Sequence, residues 1–188
     1  MANFLYVDNS NLWIEGMRVA AVQRGQVESI ATAVNQRACD YSWKIDFGKL
    51  LEFAGGDKKQ VKRALLFGSR PPQNDSLWVA AHRKGFEVVV HDRNRAGKEK
   101  KIDTDLVASM LVDSYEMVVI GQDEMTLVAG DKDYVPAVEK LTKRGIPVHV
   151  VFWGHAAREL KEAATKFINL DPYLEYLANQ PGGVGRCA

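Results

Sequence analysis

The sequence predicts an α/β protein in which helices cover both faces of a parallel β-sheet. Segments with apolar residues at helical spacing alternate along the chain with short apolar strands, which is the pattern of βαβ units. The strands, such as Phe4–Val7, are continuous apolar runs, as expected for strands that are buried on both faces. At 188 residues the chain has the length of one domain. We therefore expect a single domain over residues 1–178 and a flexible tail over 179–188.

Sequence signals place each element in order along the chain. The apolar runs predict strands at 4–8, 61–67, 86–90, 126–129, 146–153 and 167–170. Helical spacing predicts helices after the first strand and at 46–53, 74–84, from about 103, 135–143, 155–165 and 172–177. Either Ser10 or Asn11 caps the first helix, and Asp46 caps the second. Residues 25–45 fit a loop with a weak helix, and residues 117–120 fit either a strand or a last helical turn.

Charge is unevenly distributed along the chain, although the formal net charge is only +1. From Asp103 to Glu139 there are nine acidic residues and one basic residue, so the remainder of the chain is basic. This segregation predicts an acidic site in a moderately basic body.

Cysteine content and hydropathy indicate the compartment. Cys39 and Cys187 are the two cysteines of the chain, which excludes a disulfide framework and a zinc-thiolate cluster. No apolar run approaches the roughly 20 residues that span a bilayer. The first residues also lack the basic leader of a signal peptide. We therefore expect a cytoplasmic protein that does not bind a membrane.

Aspartates follow two predicted strands at the edge of the sheet where ligands bind in this fold class. Asp8 ends the first strand, and Asp131 follows the fourth strand, with Asp133 two residues later. Asp103 and Asp105 open a helix whose N-terminus can approach the same edge. Several carboxylates in one small space require a proton or a cation, and oxygen ligands favour Mg²⁺ or Mn²⁺. The sequence therefore predicts a metal site formed by these five aspartates.

Four of these aspartates also have a purely structural interpretation. Asp103 and Asp105 are acids of the kind that stabilise the first turn of a helix. Asp131 could form a turn after its strand, and Asp133 could cap the helix that starts at Tyr134. These acids and Asp8 all fall at one predicted edge of the sheet. This convergence favours the metal site over the structural interpretations.

The chain resembles one family in three segments, which are FLYVDNSN, KKIDTDLVASMLVD and LVAGDKDYVPAVEKLTKRGIPVHVV. These segments look like the signature blocks of the NYN domain, in the LabA-like branch of the PIN-like nucleases. The resemblance runs from about residue 3 to residue 171. It implies a three-layer α/β/α sandwich with a mainly parallel, Rossmann-like sheet. It also implies that the protein hydrolyses RNA phosphodiester bonds in a metal-dependent reaction.

The resemblance assigns this chemistry to the aspartates. The family's acids correspond to Asp8, Asp103, Asp105, Asp131 and Asp133, and the asparagine after its first acid corresponds to Asn11. Catalysis would rest on Asp8, Asp103 and Asp131, which would hold one or two Mg²⁺ or Mn²⁺ ions with help from Asp105 or Asp133. Such ions activate a water molecule and stabilise the developing charge.

An RNA substrate requires polar and basic groups around an acidic site. The candidates for substrate binding are Ser10, Asn11, Arg70, Arg93, Arg95, Lys101, His155 and Arg158. Trp13, Trp78 and Trp153 could stack on bases, although core packing is the safer prediction for Trp78.

Other classes of protein fit the sequence less well. A haloacid-dehalogenase-like phosphatase needs a second acid two residues after its nucleophile, where this chain has Ser10. A dinucleotide-binding protein needs a glycine-rich turn after the first strand, and this chain lacks one. A catalytically inactive RNA-binding or regulatory module of the same fold stays open as the alternative to a ribonuclease. The chain could also form a homodimer, to which Trp43 or the tail would contribute.

Overall fold

The computed structural model describes residues 2–70, 76–92 and 102–179, and the side chains of Arg70 and Asp92 are outside this description. The strands are β1 (Ala2–Asp8), β2 (Val61–Arg70), β3 (Glu87–Asp92), β4 (Asp123–Val128), β5 (Val148–Phe152) and β6 (Lys166–Asn169). The helices are α1 (Asn9–Gln23), α2 (Ile30–Gln36), α3 (Phe47–Gly55), α4 (Ser76–Lys84), α5 (Ile102–Glu116), α6 (Val135–Lys143), α7 (Arg158–Ala163) and α8 (Leu174–Leu177). Short 3₁₀ turns at Lys132–Tyr134 and Asp171–Tyr173 precede α6 and α8. No helix in these ranges is long and apolar enough to cross a membrane.

The strands form one parallel sheet in the order β3-β2-β1-β4-β5-β6. Successive side chains of a strand point to opposite faces of a sheet. Leu5 and Val7 therefore lie in the core cluster with α1, α3 and α4, whereas Phe4 and Tyr6 lie in the cluster with α5 and α6. All four side chains are fully buried, which explains why the strand is apolar at consecutive positions. The α/β/α sandwich that the sequence predicts is confirmed.

The connections of the sheet reverse direction between β1 and β4. From β1 the chain proceeds outward through β2 to β3, and β4 then starts on the other side of β1 and leads to β5 and β6. The loops after β1 and β4 therefore diverge and open a crevice at the carboxyl edge, where open α/β sheets bind their ligands. Asp8 is the last residue of β1, and Asp131 follows the end of β4 by three residues.

The N-cap of α1 is Asp8, so the prediction of Ser10 or Asn11 is wrong. The Asp8 carboxylate accepts a hydrogen bond from the backbone N–H of Asn11 at 3.1 Å, as an N-cap side chain does. Asp46 caps α3 as predicted, and its carboxylate accepts from the next N–H groups of that helix. The weak helix predicted within residues 25–45 is the short helix α2.

Residues 117–120 form neither of the two elements predicted for them, because the chain turns there before β4. The Asp123 carboxylate accepts a hydrogen bond from the Val119 N–H at 2.9 Å, which closes this turn. Gly121 lies in the turn with a φ of 81°, a conformation that favours glycine.

The tryptophans considered for dimerisation and base stacking lie mainly in the core. The Trp43 and Trp153 side chains are 1% and 0% exposed, and their rings meet edge to face with centroids 5.6 Å apart. Both indole N–H groups donate to backbone carbonyls, and Trp78 is 7% exposed. Trp43 therefore contributes to the core and not to a dimer surface. Trp78 and Trp153 are likewise too deeply buried to stack on a base, whereas Trp13 is half-buried.

Candidate active site

Among the described residues, Asn11 and Tyr134 contact the carboxylate of Asp8 at the carboxyl edge of β1. Its Oδ1 accepts from the backbone N–H of Asn11 at 3.1 Å, because Asp8 caps α1. Its Oδ2 lies 2.9 Å from the hydroxyl oxygen of Tyr134. Asp8 is only 5% exposed. Its carboxylate is therefore fixed in orientation by protein groups rather than by solvent.

Tyr134 joins Asp8 to Asp103, which lies in the first turn of α5. The Tyr134 hydroxyl oxygen is 2.9 Å from Asp103 Oδ1 and 2.9 Å from Asp8 Oδ2. Burial raises the pKa of Tyr134 well above its usual value, and the charges of Asp8 and Asp103 raise it further. The hydroxyl therefore keeps its one hydrogen, which it donates to one carboxylate or shares between the two.

A cleft of about 310 Å³ contains these carboxylates. It is lined by Asp8, Ser10, Asn11, Ile14, Glu15, Arg18, Ile102, Asp103 and Asp131. The structure thus brings three of the five predicted metal ligands into one cleft. A water molecule occupies about 30 Å³ in the liquid, so the cleft has room for a hydrated ion and a phosphate group.

Asn11 connects the two sides of the cleft. Its Oδ1 accepts a hydrogen bond at 3.0 Å from the backbone N–H of Gly130, in the loop that follows β4. Gly130 approaches β5 closely, since a Cβ at this position would lie 2.1 Å from Cε1 of Phe152. The Asn11 side-chain oxygen thus holds the loop near Asp131. Asn11 also lines the cleft, and its contact with substrate stays a prediction.

Asp105 and Asp133 do not line this cleft. Oδ2 of Asp105 lies 2.7 Å from Nε2 of His91, on β3. Asp133 lines a separate depression together with Lys132, Val135, Pro136 and Glu159. One interpretation of the sequence predicts Asp133 as the N-cap of the following helix, and the structure shows that it is not. Its backbone N–H instead donates to Asp131 Oδ1 at 3.2 Å, so Asp131 caps the 3₁₀ turn.

The basic residues predicted to bind substrate are only partly described. Arg93, Arg95 and Lys101 and the side chain of Arg70 lie outside the described residues. His155 Nε2 lies 2.7 Å from Glu15 Oε2, so His155 contacts a residue of the cleft without lining it. Arg158 is largely exposed and donates to Glu162 at 2.6 Å, and it does not line the cleft.

Sequence reasoning missed three residues of the site. Glu15 and Arg18 line the cleft and form an ion pair with each other. They follow Asn11 by four and seven residues on α1, so the helical period places all three on one face. That spacing was a usable signal. No comparable signal existed for Tyr134, because its hydroxyl bonds groups 126 and 31 residues away in the chain.

The ligand set decides which kind of metal site the cleft fits. In the described ranges, no three side chains of His, Cys, Asp or Glu lie close enough together to hold an ion between them. In the cleft, the carboxylates of Asp8 and Asp103 instead both contact the Tyr134 hydroxyl, and Asp131 also lines the cleft. Mg²⁺ commonly keeps several waters and binds one or two carboxylates together with substrate phosphates. The residues therefore fit a water-rich Mg²⁺ or Mn²⁺ site and do not fit a preformed cage of protein ligands.

The fold and the cleft define an α/β protein with an acidic site at the switch point of a parallel sheet. Within this class the chain belongs to the NYN domain family, whose model matches residues 12–171. Membership places the chain among proteins with the PIN-like nuclease fold. The match begins after Asp8 and Asn11, so the placement of these two residues rests on the structure. Among the curated proteins no match to the chain was found.

A solved structure supports the fold. The chain is similar to the crystal structure of a protein of unknown function from Vibrio parahaemolyticus, with a TM-score of 0.63. The two sequences are 18% identical, and the similarity covers 90% of this chain and 92% of that chain. At this level of identity the likeness shows a shared fold over nearly the whole length of both chains.

Proposed function

We propose that this protein is a ribonuclease that hydrolyses RNA phosphodiester bonds and depends on Mg²⁺ or Mn²⁺. The observation that carries the proposal is the convergence of Asp8 and Asp103 on the Tyr134 hydroxyl, in a cleft that Asp131 also lines. The position of the cleft at the switch point of the sheet and the membership of the NYN family support it.

The carboxylates of Asp8 and Asp103 would hold the ion, with Asp131 as a further ligand directly or through water. When bound, Mg²⁺ or Mn²⁺ lowers the pKa of a coordinated water and neutralises charge that develops on the phosphate. The Asn11 side chain keeps the loop of Asp131 against α1 through its bond to Gly130. Ser10 lines the same cleft and can donate a hydrogen bond to a phosphate oxygen.

Among the described residues that line the cleft, Arg18 is the one with a positively charged side chain. Glu15 and three aspartates line the cleft with it. An acidic cleft repels a polyanion, so the approach of RNA depends on basic groups around it. We propose that Arg18 contacts a phosphate of the RNA, since it lines the cleft. Basic residues outside the described ranges, Arg93, Arg95 and Lys101, are further candidates, since they precede Asp103 in the chain.

The test is cleavage of end-labelled single-stranded RNA by the purified protein with Mn²⁺, with EDTA as the control. The decisive variant is Asp8→Asn, because asparagine is an equally good N-cap and preserves the start of α1. We expect EDTA-sensitive cleavage by the wild type and none by the folded variant. Undiminished cleavage by Asp8→Asn would show that the activity does not arise from this cleft.

A non-catalytic RNA-binding module is the second candidate. The observation that favours it is that no three potential ligands in the described ranges are close enough to share an ion. Such a module would bind RNA in the presence of EDTA and would not cleave it with Mn²⁺. The same assay, followed by measurement of RNA binding, therefore separates the two candidates.

A further inference from the structure

We infer that Tyr134 is a positioning residue of the metal site, whose hydroxyl orients the carboxylates of Asp8 and Asp103 for a divalent ion. This inference rests on the proposed function, since it requires that these carboxylates bind Mg²⁺ or Mn²⁺. It adds a residue from outside the acidic set and gives that residue a defined role.

The contacts of Tyr134 connect three parts of the fold. The residue follows β4 in a 3₁₀ turn, and its hydroxyl oxygen lies 2.9 Å from Asp8 Oδ2 at the end of β1. The same oxygen lies 2.9 Å from Asp103 Oδ1 in the first turn of α5. Tyr134 itself is fully buried, so its ring position is fixed by packing. A single rigid side chain therefore sets the separation of two carboxylates that belong to different elements.

Asp103 depends on this contact more than Asp8 does. Asp8 is also held by the Asn11 N–H, as the N-cap of α1. Asp103 is an exposed residue, and of the described residues only Tyr134 forms a hydrogen bond with its carboxylate. Without the hydroxyl, the Asp103 side chain would gain rotational freedom that ion binding must remove again. Removal of such hydrogen-bonding partners of metal ligands typically lowers metal affinity or activity by about 10–100-fold.

A second buried tyrosine provides a matched control. The Tyr6 hydroxyl donates to Asp113 Oδ2 at 2.7 Å, and both residues are at most 1% exposed. Tyr6 and Tyr134 belong to the same core cluster, but Tyr6 and Asp113 do not line the cleft. Tyr6→Phe therefore removes the same kind of buried hydrogen bond without touching the proposed metal ligands.

The experiment measures Mn²⁺ affinity directly, by electron paramagnetic resonance of the free ion during a titration of the full chain. Wild type, Tyr134→Phe, Tyr6→Phe and Asp8→Asn are compared without RNA. We expect the dissociation constant for Mn²⁺ to rise by about 10–100-fold in Tyr134→Phe, to stay unchanged in Tyr6→Phe and to become unmeasurably high in Asp8→Asn. Urea unfolding of the metal-free tyrosine variants reports how much stability each one loses.

The outcomes separate the inference from the proposed function. Equal Mn²⁺ affinity in wild type and Tyr134→Phe, with binding abolished in Asp8→Asn, would overturn the inference alone. Equal weakening by Tyr6→Phe would also overturn it, because the effect would then be a general one of the core. A wild type without Mn²⁺ binding, or an Asp8→Asn variant that binds like wild type, would overturn the proposed function and the inference together.

A further measurement covers the case in which Tyr134→Phe does not fold. Mg²⁺ itself has no ultraviolet absorption, so a difference spectrum of the wild type on Mg²⁺ binding reports changes around its tyrosines. We expect a tyrosine perturbation that saturates with the ion. Binding of Mg²⁺ without any tyrosine perturbation would contradict the inference.

Discussion

The side-chain oxygen of Asn11 accepts a hydrogen bond from the backbone N–H of Gly130 at 3.0 Å. This bond crosses the switch point, because Asn11 lies in the first turn of α1 and Gly130 lies in the loop after β4. The carbonyl of Gly130 in turn accepts from the N–H of Ala157, just before α7. The loop that carries Asp131 is thereby tied to the start of α1 and to the segment before α7.

Asn11→Ala should destabilise the protein, since it leaves the buried N–H of Gly130 without its acceptor. The loss expected for a buried donor is about 1–3 kcal/mol in the free energy of unfolding. Urea unfolding followed by circular dichroism measures it. Ser10→Ala is the control, because it changes the neighbouring position and leaves this bond intact. Equal unfolding midpoints for the two variants would show that the Asn11–Gly130 bond contributes no stability.

Four aspartates allow the cleft to be compared with its surroundings, because Asp103 and Asp131 line it and Asp105 and Asp133 do not. Asp103→Asn and Asp131→Asn should each reduce Mn²⁺-dependent RNA cleavage by at least about 100-fold, as expected when a group that stabilises transition-state charge is lost. Asp105→Asn and Asp133→Asn should retain most of the activity, because neither side chain lines the cleft. Rates at saturating Mn²⁺ give the comparison. The prediction would be contradicted if Asp105→Asn or Asp133→Asn lost as much cleavage activity as Asp103→Asn or Asp131→Asn.

Gly16→Ala and Gly48→Ala make the same change in two helices but in different surroundings. A Cβ on Gly16 would lie 2.5 Å from Cζ3 of Trp43 and 2.7 Å from Cζ2 of Trp153, in the packed core. Overpacking of this kind typically destabilises a protein by about 1–3 kcal/mol. A Cβ on Gly48 would approach Asp46 Oδ1 and the flexible Lys84 side chain at 3.2 Å.

We therefore expect Gly16→Ala to lower the thermal midpoint clearly. For Gly48→Ala we expect the free energy of unfolding to change by no more than about 0.5 kcal/mol. Differential scanning calorimetry of the two variants and the wild type measures both effects. A Gly16→Ala protein as stable as the wild type would mean that the two tryptophans can move apart.

Asp40 should make stability depend on acid pH. The Ser42 hydroxyl, Ser42 N–H and Arg24 guanidinium all bond its carboxylate and lower the pKa of Asp40 from 3.8 to about 2. A lowered folded-state pKa stabilises the protein above the unfolded-state pKa, and this stabilisation is lost as the pH falls from about 4 towards 2. Asp40→Asn, which cannot ionise, lacks this contribution.

The difference in the free energy of unfolding between wild type and Asp40→Asn should therefore be largest near neutral pH and should shrink as the pH falls through this range. Urea titrations of both proteins at several pH values measure this difference. The contributions of the other carboxylates are common to both proteins and cancel. A difference that stays constant between pH 6 and pH 2 would contradict the assignment of this pKa to Asp40.

The separation of Asp103 from Asp105 shows what the sequence leaves open. Both open α5, and residues two positions apart on a helix point in directions about 200° apart around its axis. The helical period therefore predicts that only one of them faces the cleft, but not which one. The packing of α5 against β1 and β2 decides the matter, and it turns Asp103 towards Tyr134 and Asp105 towards His91.

By itself, the sequence determined the architecture of this protein and the edge at which its candidate site lies. Continuous apolar strands between helices must be buried on both faces, and an aspartate that ends a parallel strand falls at the carboxyl edge. Only the tertiary structure decided which carboxylates meet and what holds them. Asp8, Asp103 and Tyr134 come from a strand end, a helix start and a 3₁₀ turn, and their mutual orientation depends on packing between elements that no local pattern encodes.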